Sequence, residues 1–175
     1  MLHLIPASAH RAALRLAHAV RRGWWRLGRP RIAGCRVVAL DALGRVLLIR
    51  HSYGSDRWMP PGGGLARGED PVAAACRELL EETGCRLGGA QLLVAVEERL
   101  HGADNRVHVV AGWTADLPVA DGREIIEAAF FAVDDLPANM PPSMRARLPG
   151  WITAATAGRH LDGAEHPSRP RAPRG

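Results

Sequence analysis

The segment from Asp70 to Gly84 leaves this chain the fewest options. Asp70 suits an N-cap, Pro71 suits a first helical turn that does not need its missing N–H, and Gly84 ends the run. The spacing predicts a helix over Val72 to Thr83. With Glu78 set at 0° and about 100° of rotation per residue, Glu82 falls at about 40° and Glu81 at about 300°. Leu79, Val72, Thr83, Cys76, Leu80 and Ala73 lie between roughly 100° and 220°. The expected helix therefore buries an apolar face and gathers three carboxylates on the opposite one, with Arg77 one turn before Glu81. Like charges at such spacings destabilise a helix by a few tenths of a kcal/mol per pair. A divalent cation would remove that cost; a solvated acidic face is the plain alternative, and the helix alone does not choose between them.

The flanking sequence predicts mostly sheet. Cys35 to Leu40 and Arg45 to Arg50 are β-rich runs joined by Asp41-Ala42-Leu43-Gly44, a hairpin pattern. Trp58-Met59-Pro60-Pro61-Gly62-Gly63-Gly64-Leu65 reads as a shaped loop, rigid at its prolines and able to approach a ligand closely at its glycines. Further strands are expected at Gln91 to Glu98, Arg106 to Ala115 and Ala128 to Val133, and a last helix at Ser143 to Ala157. Domain boundaries are expected near residues 34 and 157. Residues 1–34 form a basic helical extension, 35–157 the folded domain, and 158–175 a disordered tail rich in Pro, Arg and Gly.

Charge is unevenly spread. Eight arginines and no acid precede Val37, whereas Val37 to Ala157 holds 16 acids against 11 arginines. The net charge of +5 thus describes the ends, and the acidic centre argues against a nucleic-acid surface. Within the basic end, Leu14, Ala17, Val20, Trp24 and Leu27 recur at helical spacing over Ser8 to Leu27. Such a helix packs on its own domain or on a second copy in a homodimer, lies on an anionic membrane surface, or neutralises substrate phosphates. Packing is the reading preferred over membrane contact. Cys35, Cys76 and Cys85 form no CxxC pair, no apolar stretch approaches a membrane span, and no signal-peptide pattern opens the chain; a cytoplasmic protein is expected.

The wider spacing resolves the ambiguity of the acidic helix. Gly63, five residues, Glu69, seven residues, Arg77-Glu78-Leu79, one residue, Glu81-Glu82, one residue, Gly84-Cys85 resembles the Nudix box, Gx5Ex7REUxEExGU. At residue frequencies of roughly 5 to 10%, its seven fixed positions would coincide by chance on the order of once in 10⁸ starting points. The Trp58 to Gly64 loop and the ending Glu124-Ile125-Ile126-Glu127 before Phe130-Phe131 and Asp134-Asp135-Leu136-Pro137 also resemble that family, so the likeness spans about Cys35 to Pro137. Cys85 stands where an aliphatic residue usually closes the box, and Pro60 where leucine is more usual; neither removes a charge.

The resemblance implies an α+β fold, with a mixed β-sheet sandwiched between helices. It also implies hydrolysis of the pyrophosphate linkage in a nucleoside diphosphate joined to another moiety, by water activated on Mg²⁺ or Mn²⁺. Carried over, Glu78 and Glu82 are the principal metal ligands, Glu81 and the Gly63 carbonyl further ones, and Arg77 pairs with Glu69. For the general base a box glutamate, Glu124 with Glu127, or one of Glu97 and Glu98 remain open, with Glu127 favoured. Arg50, His51, Trp58 and Gly62 are candidate substrate contacts, though a strand-end Arg or His and a core Trp are ordinary structural roles for the first three. His101 and His108 lack metal-ligand spacing with any cysteine, so zinc is not expected. A non-catalytic Nudix-fold module that holds a nucleotide is the alternative from another class.

Overall fold

The computed structural model describes residues 32–53, 55–100, 103–122 and 124–162. The Ser8 to Leu27 segment and the chain beyond residue 162 lie outside the described residues. Five strands, β1 (Ile32–Leu40), β2 (Val46–His51), β3 (Gly88–Leu100), β4 (Ala103–Trp113) and β5 (Ile125–Phe131), form one sheet in the order β3-β4-β1-β2-β5. β1 and β4 run parallel and the other neighbours antiparallel. Helices α1 (Pro71–Thr83) and α2 (Pro142–Asp162) cover its two faces. This is the expected mixed sheet between helices.

Strand alternation explains the two layers. Val37 and Ala39 of β1, Leu47 of β2 and Val110 of β4 are buried on one face with Ala74, Ala75 and Leu79 of α1. Val38, Leu40, Val46, Leu48 and Val109 occupy the other face with Met144, Leu148 and Ile152 of α2. Full burial of each large aliphatic side chain contributes about 1.5–3 kcal/mol. Cys85 is fully buried in the α1 layer, so the thiol fills the site of the usual aliphatic residue.

Local signals act where they were read. The Asp70 carboxylate accepts the N–H groups of Val72 and Ala73, and Gly84, at φ 72°, caps the far end of α1 in the left-handed region. Asp41 Oδ1 accepts the N–H groups of Leu43 and Arg45, 2.9 Å each, closing the hairpin turn. Helix α2 contains Pro149 and runs on to Asp162, past the expected end at Ala157. The proline removes one helical hydrogen bond, but Met144, Leu148, Ile152 and Ala155 still present one buried stripe to the sheet.

The hairpin does not stay closed. β1 and β2 share only the Leu40–Val46 register, then separate, and the Trp58 to Leu65 loop fills the gap. On one side Met59 exchanges both backbone hydrogen bonds with Ile49. On the other, the N–H groups of Cys35 and Val37 donate to the carbonyls of Gly63 and Pro61, and the Leu65 N–H donates to Ala33. The loop is thus a wedge between two strands, fixed by five backbone bonds.

Candidate active site

The wedge requires glycine at Gly62. Its φ of 146° lies in the region L side chains rarely adopt, and a Cβ there would collide with the Cys35 carbonyl and the Arg36 backbone. Gly63 has no room either: a Cβ would strike the Glu78 carboxylate. The loop therefore passes between β1 and α1 at a separation that only bare backbone permits.

That approach lets the helix bond the loop. The Gly62 N–H donates to Glu82 Oε2 at 2.9 Å, while Glu82 Oε1 lies 3.7 Å from His51 Nε2 at the end of β2. Arg77 ties the other side. Its Nε and Nη2 meet the two oxygens of Glu69 at 2.9 and 3.1 Å, and Nη1 reaches Glu78 Oε1 at 2.9 Å and Glu81 Oε2 at 3.3 Å. Nη2 also lies 3.4 Å from the Gly64 carbonyl. The expected Arg77–Glu69 pair is present as a bidentate fork.

The burial of α1 differs from the wheel. The residues it buries are Ala74, Ala75, Leu79, Glu82 and Thr83, whereas Leu80 and Ala73, expected on the buried face, are exposed. The helix is turned so that its small alanines contact the sheet and Glu82 goes inward over the wedge. Hydrophobicity alone would have placed the carboxylates opposite the core; the Gly62 N–H and the small Ala74–Ala75 surface set them at its edge.

Electrostatics follow from that placement. Glu82 is 8% exposed, and burial pushes its carboxyl up to about 8; the Gly62 N–H opposes the shift, and the charges of Glu78, Glu124 and Glu81 add to it. Burial likewise raises Glu78, against the pull of Arg77. Glu69, held by Arg77 and the Ala66 N–H, is lowered. Glu81 is the exposed member of the set. Among the described residues no three His, Cys, Asp or Glu side chains already converge as a cage for a cation. Arg77 draws Glu78 and Glu81 to itself, and Gly62 holds one oxygen of Glu82. The donor set nevertheless suits a hard divalent cation: adjacent carboxylates, two of them driven toward the neutral form by burial and mutual repulsion, next to Gly63, whose carbonyl also accepts the Cys35 N–H.

The remaining candidates are spread around this centre. Glu127 sits on β5 opposite Arg50 in register, and its Oε1 lies 3.3 Å from Arg50 Nη2. Arg50 also faces Asp56 at 3.3 Å, and its guanidinium carbon stands 5.8 Å from the Trp58 ring centre. Trp58 packs on the α2-side core with its ring edge-on to Phe131, the structural role considered for it. Glu97 and Glu98 point to opposite faces as alternation requires: Glu97 pairs with Arg106, and Glu98 meets Arg36 and Arg147. Glu124, ranked below Glu127 from sequence, is the downstream carboxylate whose charge reaches Glu78 and Glu82. A register shift between Arg50 and His51 sets this, pairing His51 with Ile125, and Tyr53 donates its hydroxyl proton to Glu124. No residue spacing discloses such a bulge.

A family model described as NUDIX domain matches residues 30–152, which is most of the chain. Among curated proteins, the RNA pyrophosphohydrolase of Rhodospirillum rubrum is 39% identical over 59 residues, 34% of this chain and 36% of that one. The human diphosphoinositol polyphosphate phosphohydrolase 3-alpha is 36% identical over 77 residues, 44% of this chain and 46% of that one. The matches thus span between about a third and a half of these relatives. Among solved structures, the MutT NUDIX hydrolase from Burkholderia pseudomallei superposes with a TM-score of 0.61 at 28% identity, over 69% of this chain and 97% of that one. The MutT protein from Methanosarcina mazei Go1, at 20% identity and TM-score 0.61, covers 75% and 97% and shares the fold. With the box spacing, the glycine wedge and the sheet order in agreement with that match, the chain belongs to the Nudix family.

Proposed function

We propose that the protein is a hydrolase of acid anhydrides (EC 3.6.1.-) that cleaves the pyrophosphate linkage of a nucleoside diphosphate joined to another moiety, with water as nucleophile. The observation that carries this reading is the buried Glu82, fixed on the Gly62 N–H beside Glu78. An isolated carboxylate so placed costs several kcal/mol in the charged form, which a fold has little reason to keep unless a cation offsets it. Mg²⁺ or Mn²⁺, held by Glu78 and Glu82 with Glu81 and the Gly63 carbonyl, would offset phosphate charge and lower the pKa of a bound water. The named relatives, a pyrophosphohydrolase and a polyphosphate phosphohydrolase, support a phosphoanhydride substrate.

The chain's own residues have separable tasks in this reading. Arg77 positions: its fork on Glu69 holds the loop against α1, and its bond to Glu78 aims that carboxylate. Gly62 and Gly63 let the loop pass between β1 and α1, which brings the Gly62 N–H to Glu82. In this reading His51, which lies beside Glu82, and Arg50, which would have to leave Asp56 or Glu127, contact substrate phosphates, with Trp58 as the apolar wall next to Arg50. A general base must lie near the attacking water. Glu124 meets that requirement better than Glu127, because its charge is felt by Glu78 and Glu82 whereas Glu127 answers Arg50.

A panel of nucleotide sugars, dinucleoside polyphosphates and nucleoside triphosphates, assayed with Mg²⁺, with Mn²⁺ and with EDTA, tests the proposal. Metal-dependent release of a phosphorylated product, lost in Glu78→Gln, is the expected result. Tight nucleotide binding with no product under any metal would instead establish the non-catalytic binding module.

A further inference from the structure

His51, Ser52 and Tyr53 come just after the register shift between β2 and β5. His51 Nε2 lies 3.7 Å from Glu82 Oε1, the Ser52 N–H donates to the Glu124 carbonyl at 2.8 Å, and the Tyr53 hydroxyl donates to Glu124 Oε1 at 2.5 Å. The His51 and Tyr53 rings stand 5.2 Å apart, tilted by 45°. One short segment thus meets a carboxylate of α1 with its first side chain and holds Glu124 with its next two residues. From the other side the Asp121 carboxylate accepts the Glu124 N–H at 3.0 Å. The Glu124 main chain is tied at both its N–H and its carbonyl, so what remains to be set is the side-chain rotamer, and the phenol sets it.

The donor distinguishes this carboxylate from those around it. Glu69, Glu78 and Glu81 meet Arg77, and Glu127 meets Arg50. For Glu124 the Tyr53 hydroxyl is the side-chain partner among the described residues. A guanidinium cancels a carboxylate's charge and makes it a poorer proton acceptor, whereas a neutral O–H fixes one oxygen and leaves the negative charge in place. That charge is felt at Glu78 and Glu82, which puts the pair beside the proposed chemistry. One oxygen of Glu124 is held, and the second has no hydrogen bond among the described residues.

We propose that Tyr53 is a positioning residue for hydrolysis: its hydroxyl holds one oxygen of Glu124 so that the other faces the attacking water. The inference deepens the proposed function and rests on it for the role of Glu124 as base. Glu124 accepts one proton from the water whose oxygen bonds to phosphorus as the anhydride P–O bond breaks, and Tyr53 keeps its own proton throughout.

Two measurements test it, and the first does not depend on turnover. Tyr53 is the one tyrosine of the chain, so labelling with ¹³C at the tyrosine Cζ gives a single resonance. In EDTA that resonance should move in Glu124→Gln, which turns the acceptor into an amide, and stay in place in Glu127→Gln. A signal that ignores Glu124→Gln, or follows both changes equally, overturns the proposal with or without turnover. The second measurement is a double-mutant cycle on kcat with Mg²⁺, using the best substrate of the nucleotide panel. Tyr53→Phe, which removes one oxygen and keeps the ring, should lower kcat about tenfold at unchanged KM, the loss of one hydrogen bond to a charged group. In a Glu124→Gln chain the same change should alter kcat less than about twofold, because no base is left to position. An equal loss in both backgrounds, or a rise in KM at constant kcat, overturns the positioning role, since the tyrosine then supports the fold or meets substrate. Glu124→Ala completes the cycle if Glu124→Gln does not fold. No turnover by the intact chain overturns hydrolysis and the role built on it, while the tyrosine resonance still reports the contact.

Discussion

Helices α1 and α2 cover opposite faces of one sheet with comparable apolar stripes, yet α1 also buries the Glu82 carboxylate, whereas the residues of α2 described as buried are all apolar. α2 presents Met144, Leu148, Ile152 and Ala155, and tolerates Pro149 because its position depends on packing. α1 presents alanines and Leu79, is capped at both ends, and spends part of its contact surface on Glu82. The difference teaches that one layer is arranged for burial and the other gives up some stability to hold charge beside a loop. The proposed function rests on the place where the packing rule is broken.

Substitutions in the two layers should then move activity and stability independently. The largest effect is expected from Glu82→Gln, which should lower kcat by about a thousandfold, the several kcal/mol of charge stabilisation that a bound cation supplies. Metal-free Glu82→Gln should also melt at a higher temperature than the parent at pH 8, and a lower melting point would break the comparison. Leu148→Ala should behave in the opposite sense, losing about 2–5 kcal/mol in urea unfolding while kcat below the transition is unchanged.

The pH dependence sharpens the same contrast. Glu82 is raised from 4.5 to about 8 in the folded state, so the folded chain holds a proton that the unfolded chain has lost. Stability in EDTA should therefore be fullest below pH 4.5 as far as this group is concerned, and fall by a few kcal/mol as pH rises to about 8. Thermal melts across that range, with Glu82→Gln as the flat reference, measure it. Arg77→Lys, which keeps the charge and loses the fork on Glu69, should reduce kcat about tenfold at unchanged KM. The downstream carboxylates separate in the same way: Glu124→Gln should lower kcat about a hundredfold, as loss of a general base does, and Glu127→Gln, the smallest effect, should leave kcat unchanged.

Much of the molecule was legible before any coordinates. Asp70, Pro71 and Gly84 bound their helix through local hydrogen bonds and backbone preference, and Asp41 closes its own turn, so neither needs distant residues. The box spacing named Glu78, Glu82, Arg77 and Glu69, because chemistry that needs several groups on one helix leaves a periodic trace. The rotation of α1 was not legible. Its apolar residues would sit as well against a core 100° away, and the choice depends on the wedge between β1 and β2. The nearness of Glu124, and the meeting of Arg36, Glu98 and Arg147, were equally hidden, since each joins elements far apart in the chain.

By itself, then, the sequence determined which residues carry charge, where the helices and strands lie, and to which family the pattern belongs. Only the tertiary structure decided which carboxylate is desolvated and which arginines converge. Local propensity acts through bonds a few residues long, whereas desolvation and convergence arise only when separate strands and helices close on the same few ångströms.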